Sequence, residues 1–303
     1  MVTKHLDVAS IRIVVTDSGL GGISVLADME KELSETHIFS NVELIFFNAL
    51  YSKSLGYNEM KSNDEKVKVF NNALYAIEEN YKPDIILIAC NTLSVVYPTT
   101  QFAKQSRTKV EGIVEAGVDL FFENLKREQN SSIILFGTPT TINSGLHKSL
   151  LIKKGIEEKR IVNQSCPILE SEIQDDPESE KVLTLIQQFI NKASEKIIYG
   201  NEKVYAGFCC THYGYSSDIF ENVMIDKFGD NVEILNPNSK MVESLVKKNT
   251  ESYDGSSMTV KVVSQVEIYE HEKKALSKIL KNDAPLTVAA IEEYELRPNL
   301  FGK

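Results

Sequence analysis

The chain has 303 residues, of which 42% are hydrophobic and 25% are charged, and its formal net charge is −10. This composition is typical of a soluble globular protein and excludes intrinsic disorder, collagen and low-complexity scaffolds. The acidic balance argues against nucleic acid and membranes as partners but allows a small anionic substrate, and the longest apolar run, residues 85–90, is far shorter than the roughly 18 residues of a membrane helix.

The N-terminus predicts no secretion signal, because no basic region there is followed by an apolar one. The four cysteines, Cys90, Cys166, Cys209 and Cys210, do not form a disulfide framework in a chain of this length. We therefore expect a cytoplasmic protein in a reducing compartment. Because neither CxxC nor HxxxH spacing occurs, we expect no metal site.

Short apolar runs alternate with amphipathic stretches along the chain. Strands are predicted, in chain order, at residues 11–16, 42–47, 84–89, 110–114, 133–136, 204–208, 232–235 and 259–263. Helices are predicted at residues 23–33 and 266–280, after a capping box formed by Ser62 and Glu65, and from a start near Thr92. Apolar strands separated by helices are typical of parallel sheets covered on both faces, so the expected fold class is α/β.

Polar turns follow several of the predicted strands. They begin at Asp17, Cys90, Gly137 and Cys210. The segments 85–92 and 204–212 are loosely alike, since each places a Cys and then a Thr just past a strand. Two similar α/β lobes would bring these turns together, and ligands bind at the carboxyl ends of such strands. We therefore expect the site in a cleft between two lobes.

Cys90 is predicted at the point where a strand ends and a helix begins. Unpaired backbone N–H groups and the positive end of the helix dipole would lower the pKa of its thiol from about 8.5 and favour the thiolate. The alternative is a small buried residue at a strand end, the commonest fate of a free cysteine. The polar groups of Asn91 and Thr92, which follow it, favour a functional role.

Cys210 has the same predicted placement, and His212 can hold or polarise its thiol or contact a substrate. The alternative for His212 is an exposed residue at the start of a helix. Cys209 is expected to pack into the sheet, and Cys166, which precedes Pro167, to be structural.

The turn Asp17-Ser18-Gly19 has two interpretations. It can be a helix cap, because Asp and Ser favour caps, or a site where glycine lets the backbone approach a ligand closely. A dinucleotide fingerprint is incomplete, since Ser24 stands where the third glycine is required, and a phosphate loop is absent. Nucleotide binding is therefore weakly supported.

Two thiols that face one pocket from opposite lobes suggest a specific reaction class. One thiol deprotonates a carbon acid while the other donates a proton from the opposite face, which inverts a stereocentre. No motif for an electron-sink cofactor is evident. Hydrogen bonds to a substrate carboxylate would then stabilise the carbanion.

Six short motifs follow one another along the chain. They are TDSGLGGISVL at residues 16–26, ACNTLS at 89–94, GIVEAG at 112–117, GTPTTINSG at 137–145, SCP at 165–167 and CCTHY at 209–213. In this order, over most of residues 11–280, they resemble the glutamate racemases, which are cofactor-independent amino acid racemases of the aspartate/glutamate racemase superfamily.

The resemblance implies two Rossmann-like lobes, one of residues 1–112 with 236–303 and the other of residues 113–235, with the site in the cleft between them. It implies that Cys90 and Cys210 are the acid–base thiols, that Asp17 assists Cys90 and that His212 assists Cys210. The substrate-binding residues that it implies are Asp17, Ser18, Leu55, Gly56, Asn91, Thr92, Thr138, Thr141, Thr211 and His212.

The chain departs from the family pattern at three places. Ser54-Leu55-Gly56 replaces the family's Pro-Tyr-Gly, so Leu55 offers no hydroxyl, although Tyr57 can substitute if the loop shifts. Gln174 stands where the family has a glutamate that assists catalysis, and an amide cannot act as a base. Residues 286–303 extend past the usual end and are expected to pack on the body or a partner subunit, or to be a partly ordered tail.

We expect a cytoplasmic, homodimeric isomerase without a cofactor, which interconverts L- and D-glutamate for peptidoglycan synthesis. A second hypothesis is a racemase or epimerase of the same superfamily that acts on another amino acid or small carboxylate. A third, from another class, is a ligand-binding or regulatory protein on this fold without turnover. A nucleotide-dependent enzyme is a fourth, which lacks its phosphate loop.

Overall fold

The computed structural model describes residues 9–197, 203–246 and 252–302, and within them two parallel sheets. The strands are β1 (Ser10–Asp17), β2 (Asn41–Asn48), β3 (Ile85–Ile88), β4 (Lys109–Gly112), β5 (Ser131–Gly137), β6 (Ile161–Ser165), β7 (Lys203–Cys209), β8 (Val232–Leu235), β9 (Ser257–Ser264) and β10 (Glu295–Leu296). The first sheet has the order β10-β9-β2-β1-β3-β4 and the second β6-β5-β7-β8. All neighbouring strands are parallel.

The helices connect successive strands and cover the sheets. They are α1 (Ile23–Thr36), α2 (Asn63–Tyr81), α3 (Asn91–Val96), α4 (Gln101–Gln105), α5 (Ile113–Arg127), α6 (Pro139–Ser144), α7 (Leu146–Lys153), α8 (Leu169–Asp175), α9 (Glu180–Ser194), α10 (Ser217–Phe228), α11 (Pro237–Val246), α12 (Glu270–Leu280) and α13 (Pro285–Glu292). A 3-10 helix, Thr211–Ser216, follows β7. In the described ranges no helix combines the length and the apolar character that a membrane span needs.

The central strands of each sheet are buried on both faces, which explains why these strands are almost continuously apolar. Along β1, Ile13 and Val15 join the core on one face while Val14 joins the core on the other. Along β5, Ile133 and Ile134 alternate in the same way. The predicted α/β fold with parallel sheets between helices is confirmed.

The chain enters the second sheet after β4 and returns to the first after β8. The first sheet uses strands from residues 10–112 and 257–296, and the second uses strands from residues 131–235. The predicted lobe boundaries, near residues 112 and 235, stay a prediction. One of the polar turns follows each of β1, β3, β5 and β7. Because the strands in each sheet are parallel, the turns lie at the same edge of their sheet.

The structure differs from the predicted elements at several places. β6 has no counterpart in the prediction, because Asn163 and Gln164 interrupt its apolar run. The strand predicted at 110–114 ends at Gly112, and the next two residues begin α5. The helix predicted from residue 266 begins at Glu270.

The predicted helix starts near Ser62 and Thr92 are confirmed as α2 and α3. The Oγ of Ser62 accepts a hydrogen bond from the backbone N–H of Glu65, as a capping box requires. The carboxylate of Glu65 accepts from the backbone N–H of Lys61 rather than from that of Ser62. The reciprocal half of the box is therefore displaced by one residue.

The C-terminal extension packs on the body of the protein. Phe301 is only 5% exposed, and its ring lies 5.6 Å from that of Phe47 on β2. The hydroxyl of Tyr294 accepts a hydrogen bond from the backbone N–H of Ile268. Leu296, in contrast, is 48% exposed. The extension thus adds the edge strand β10 to the first sheet and packs an aromatic ring against β2.

We predict that Phe301→Ala lowers the free energy of unfolding by about 3 kcal/mol, because it leaves a cavity beside Phe47. The matched control is Leu296→Ala. We expect this variant to change the free energy of unfolding by less than about 0.5 kcal/mol, since the Leu296 side chain is half exposed. Urea denaturation of the two variants measures the difference. Equal stabilities would show that the extension does not contribute to the core.

Candidate functional site

A small cavity lies between the carboxyl ends of the two sheets. Its volume is about 20 Å³, which is room for one water molecule. We call it the inner cavity, and the residues that line it are Asp17, Ser18, Asn58, Cys90, Asn91, Thr92, Thr138, Glu170, Cys209, Cys210, Thr211 and His212. Most of the residues predicted for the site are therefore brought together here.

Cys90 is the N-cap of α3, and its Sγ accepts a hydrogen bond from the backbone N–H of Leu93 at 3.5 Å. The Oγ of Ser18 lies 3.1 Å from the same sulfur. Burial, followed by the nearby charge of Asp17, raises the pKa of the Cys90 thiol to about 12. The lowered pKa expected from the sequence is therefore wrong, because the loss of hydration outweighs the N–H groups of a helix of six residues.

Cys210 follows β7 and precedes a 3-10 helix rather than an α-helix. Its Sγ lies 3.8 Å from Nδ1 of His212. Burial and then the charges of Glu170 and Asp17 raise the pKa of this thiol well above its ordinary value. Both thiols are therefore protonated at neutral pH, and each has a hydrogen-bonding partner in contact with its sulfur. Cys209 packs into the core of the second sheet, as expected, and also borders the inner cavity.

Asp17 connects the two sheets. It ends β1, is 1% exposed, and accepts through Oδ2 a hydrogen bond of 2.7 Å from the hydroxyl of Thr211. The hydroxyl of Ser18 lies 3.5 Å from its other oxygen, Oδ1. Asp17 thus reaches Cys90 through Ser18 and not directly.

Three threonine hydroxyls form a second link between the sheets. The Oγ1 of Thr92 on α3 lies 2.9 Å from that of Thr138 and 3.2 Å from that of Thr141. Thr138 also caps α6 through the backbone N–H of Thr141. Thr141 contributes to this cluster but does not line the inner cavity.

Asn91 presents an amide group to the inner cavity. Its Oδ1 lies 3.0 Å from Nε2 of His147, and burial lowers the pKa of His147 to about 4, so that ring is neutral and donates. The Nδ2 of Asn91 is buried and has no hydrogen-bond partner among the described residues. It is therefore a donor available to a ligand.

The glycines after β1 let the His212 ring approach the first sheet. A Cβ built on Gly21 would lie 2.5 Å from Nδ1 of His212 and 2.6 Å from Oγ1 of Thr211. A Cβ on Gly19 would lie 2.8 Å from Oε1 of Gln174. The sequence predicts that these glycines let the backbone approach a ligand. In the structure they let the backbone approach side chains that follow strands of the second sheet.

A larger outer cavity of about 320 Å³ adjoins the inner one. Gly56 and Tyr57 line it, and the buried Tyr57 hydroxyl has no partner among the described residues. Leu55 lines neither cavity and packs against the core on the α2 side of the first sheet. The outer and inner cavities share Ser18, Asn58, Glu170 and His212.

Several residues that line the two cavities carry no recognisable signal in the sequence. They are Asn58, Glu170, Lys53 and Glu272. Asn58 and Lys53 lie in the irregular loop after β2, while Glu170 and Glu272 lie on helices whose exposed faces carry other acidic residues. No pattern of spacing separates these side chains from ordinary surface charges, so only the fold reveals them.

Across residues 9–197, 203–246 and 252–302, no group of three or more His, Cys, Asp and Glu side chains is placed to hold a metal ion.

Comparison with known proteins shows what this chain is similar to. No protein-family model matches the chain. Over 238 residues it is 28% identical to a glutamate racemase of a Nitratiruptor species, covering 77% of this chain and 83% of that protein. A glutamate racemase of Clostridium perfringens is also 28% identical over 238 residues, covering 78% of this chain and 82% of that protein.

The chain is a divergent relative of the glutamate racemases. The crystal structure of glutamate racemase from Francisella tularensis subsp. tularensis in complex with D-glutamate matches it with a TM-score of 0.67 at 19% identity, covering 91% of this chain and 96% of that chain. The resemblance to glutamate racemases that the six motifs predict is therefore confirmed, and so is the α/β fold with parallel sheets covered by helices.

We predict that alkylation of Cys90 and Cys210 by iodoacetamide accelerates with pH up to at least pH 10 without levelling off, because burial raises the pKa of both thiols. Mass spectrometry of the alkylated peptides measures the two rates separately. The control is the same protein in guanidinium chloride, where the rates should level off above about pH 8.5. A plateau near pH 7 in the folded protein would mean that a thiolate is already present.

Proposed function

We propose that this chain is an amino acid racemase that interconverts L- and D-glutamate without a cofactor. The observation that supports this proposal is that two thiols, Cys90 and Cys210, line one cavity from the ends of strands in different sheets. A ligand-binding protein without turnover needs no pair of thiols there. A nucleotide-dependent enzyme needs a phosphate loop, which the sequence lacks.

The proposed reaction moves two protons. The thiolate of one cysteine takes the Cα proton of the substrate, and the electron pair of that C–H bond remains on the carbanion. The thiol of the other cysteine donates its proton to the opposite face of Cα and becomes the thiolate. The configuration is inverted, no electron acceptor is needed, and the reverse reaction uses the same groups in exchanged roles.

Hydrogen-bond donors on the cavity lining would hold the substrate carboxylate and stabilise the carbanion. The Nδ2 of Asn91 is such a donor, and Thr92, whose hydroxyl belongs to the threonine cluster, lines the same cavity. Thr211 also lines the cavity, with its hydroxyl hydrogen donated to Asp17. The carboxylate of Asp17, buried between the sheets, suits the substrate ammonium group. These roles agree with those that the family resemblance implies.

Each thiol has its own proton partner. Ser18 connects Cys90 to the carboxylate of Asp17, and the imidazole of His212 contacts Cys210. Because both thiols have a raised pKa in the free protein, a partner that accepts the proton is needed before either can act as a base. We assign Asp17, acting through Ser18, as the acceptor of the Cys90 proton, and His212 as the acceptor of the Cys210 proton.

The biological setting that we propose is the supply of D-glutamate for peptidoglycan synthesis by a cytoplasmic homodimer. The family resemblance supports it. Sedimentation of the purified protein tests the oligomeric state, and a mass of one chain would contradict a dimer.

We predict that Cys90→Ser and Cys210→Ser each reduce racemisation at least about 100-fold, because each removes one of the two acid–base groups. Cys166→Ser is the matched control and should retain activity, since Cys166 is buried in the core of the second sheet and lines neither cavity. The assay is incubation with L-glutamate in D₂O, in which NMR measures loss of the Cα proton and polarimetry measures racemisation. An active Cys90→Ser/Cys210→Ser double variant would rule out the two-thiol reaction.

One observation favours a second candidate, a racemase of an amino acid whose side chain donates hydrogen bonds. The carboxylate of Glu170 lines the inner cavity, and Asn58 donates to its Oε1 at 2.7 Å. Its Oε2 is buried without a partner among the described residues, and burial raises its pKa. An ionised Glu170 would repel the side-chain carboxylate of glutamate but pair with an amide or ammonium group, whereas a protonated Glu170 would donate to glutamate.

The substitution Glu170→Gln separates these candidates. If glutamate is the substrate, we expect the variant to retain its activity within about threefold, because the amide still donates one hydrogen bond. If the substrate is an amide or amine, we expect at least about a tenfold loss, because the charged acceptor is removed. The measurement is Cα exchange in D₂O for glutamate, glutamine, asparagine, lysine and ornithine with both proteins. Glutamate exchange at the highest rate would reject the second candidate.

A further inference from the structure

The amide of Gln174 has only one possible orientation. Its Oε1 lies 2.9 Å from the backbone nitrogen of Leu20, which can only donate. Its Nε2 lies 2.7 Å from Oε1 of Glu272, and a carboxylate can only accept. Both contacts require the amide oxygen toward Leu20 and the amide nitrogen toward Glu272.

This orientation determines the tautomer of His212. The Nε2 of His212 lies 3.1 Å from the same Gln174 oxygen, so that ring nitrogen must be the donor. In the neutral imidazole the lone pair is then on Nδ1, which faces Cys210 Sγ at 3.8 Å. His212 is therefore arranged to accept the proton of the Cys210 thiol at Nδ1.

Glu272 provides a fixed negative charge at the far end of this chain of contacts. It is 4% exposed, and it accepts hydrogen bonds from Lys53 Nζ through both of its oxygens at 2.9 and 2.8 Å and from the backbone N–H of Tyr269. Burial lowers the pKa of His212, and the charges of Asp17 and Glu272 act in the opposite direction. The Gln174 amide lies between the Glu272 carboxylate and the His212 imidazole. The negative charge of Glu272 favours the protonated form of that imidazole.

We propose that Gln174 and Glu272 are positioning residues for the acid–base chemistry of Cys210. Gln174 holds His212 in the tautomer with its proton on Nε2, and Glu272 stabilises the imidazolium that forms when the thiol proton moves from Sγ to Nδ1. This inference rests on the proposed racemase function. It also explains why a chain with an amide at position 174 can retain a base on this side of the cavity.

The test compares Glu272→Gln with the unaltered protein. We expect kcat/KM to fall about tenfold in both directions, since the equilibrium constant between enantiomers is fixed. The decisive readout is the isotope effect with L- and D-[2-²H]glutamate. The Glu272→Gln substitution should slow only the proton transfer that involves Cys210. The isotope effect should therefore rise for the enantiomer that Cys210 deprotonates and fall for the enantiomer that Cys90 deprotonates.

Glu30→Gln is the matched control. Glu30 is also buried and accepts hydrogen bonds from backbone N–H groups at a helix start, those of Leu286 and Thr287, but it lies outside both cavities. We expect it to lower stability without changing either isotope effect. A loss of activity in Glu272→Gln with unchanged isotope effects would reduce Glu272 to a structural role and overturn the inference.

Exchanging the two groups provides a rescue. The double variant Gln174→Glu/Glu272→Gln keeps one carboxylate and one amide in the same chain of hydrogen bonds, with the charge now in contact with His212. We expect it to recover at least the activity that Glu272→Gln loses. Failure to recover, in a double variant as stable as the single one, would contradict the proposal.

Nitrogen NMR of the His212 ring tests the tautomer without any turnover. The proton should be on Nε2 in the unaltered protein, and the pKa of His212 should fall in Glu272→Gln. The groups that face this ring are Cys210, Asp17, Tyr215 and Glu272, and only the last is changed. A protein that shows these NMR results but no glutamate turnover would refute the proposed function and retain the relay. A ring protonated on Nδ1 alone would refute the relay.

Discussion

The hydrogen bond from Thr211 to Asp17 is the contact on which the candidate site depends. It joins the end of β1 in the first sheet to the turn after β7 in the second, and both groups are buried. A buried carboxylate is costly unless its oxygens are paired, so the ends of the two sheets are held face to face around it. The cavity that contains both thiols is a consequence of this arrangement.

Burial of that cavity determines the chemistry of the thiols. Removing water disfavours the thiolate more than one or two N–H contacts favour it, which is why both Cys90 and Cys210 have a raised pKa. Both thiols are therefore held in the protonated form in this cavity. Each proton then requires a nearby acceptor, and the two sides supply different ones: a hydroxyl with a carboxylate beside Cys90, and an imidazole beside Cys210.

The sequence predicts the fold well because the strands are buried on both faces and so are recognisable as apolar runs. β6 was missed because two of its five residues are amides. The thiols, Asp17 and His212 were found because they follow strands directly and because the motifs around them resemble a known family. The pKa of Cys90 was predicted in the wrong direction, because a sequence shows the start of a helix but not the loss of water around it.

Residues that reach the site from other loops could not be predicted in the same way. Glu272 lies 182 positions after Cys90 on a helix with three further glutamate and lysine residues in its first turns, and nothing local distinguishes it from them. Its burial is produced by three separate segments, which bring Lys53, Gln174 and the start of α12 together. Long-range electrostatic partners of this kind depend on the packing of the whole chain.

The size of the inner cavity sets a further requirement on any substrate. A volume of about 20 Å³ holds a water molecule but not an amino acid, whereas the adjoining outer cavity of about 320 Å³ is large enough for one. The hydrogen bond between Asn58 and Glu170 lies where the two cavities meet and joins the loop after β2 to α8. An amino acid can therefore reach the thiols only if side chains at this junction move aside. The Asn58 amide and the Glu170 carboxylate line both cavities, so a substrate that passes from the outer to the inner cavity meets both polar groups, and its side chain must be compatible with them.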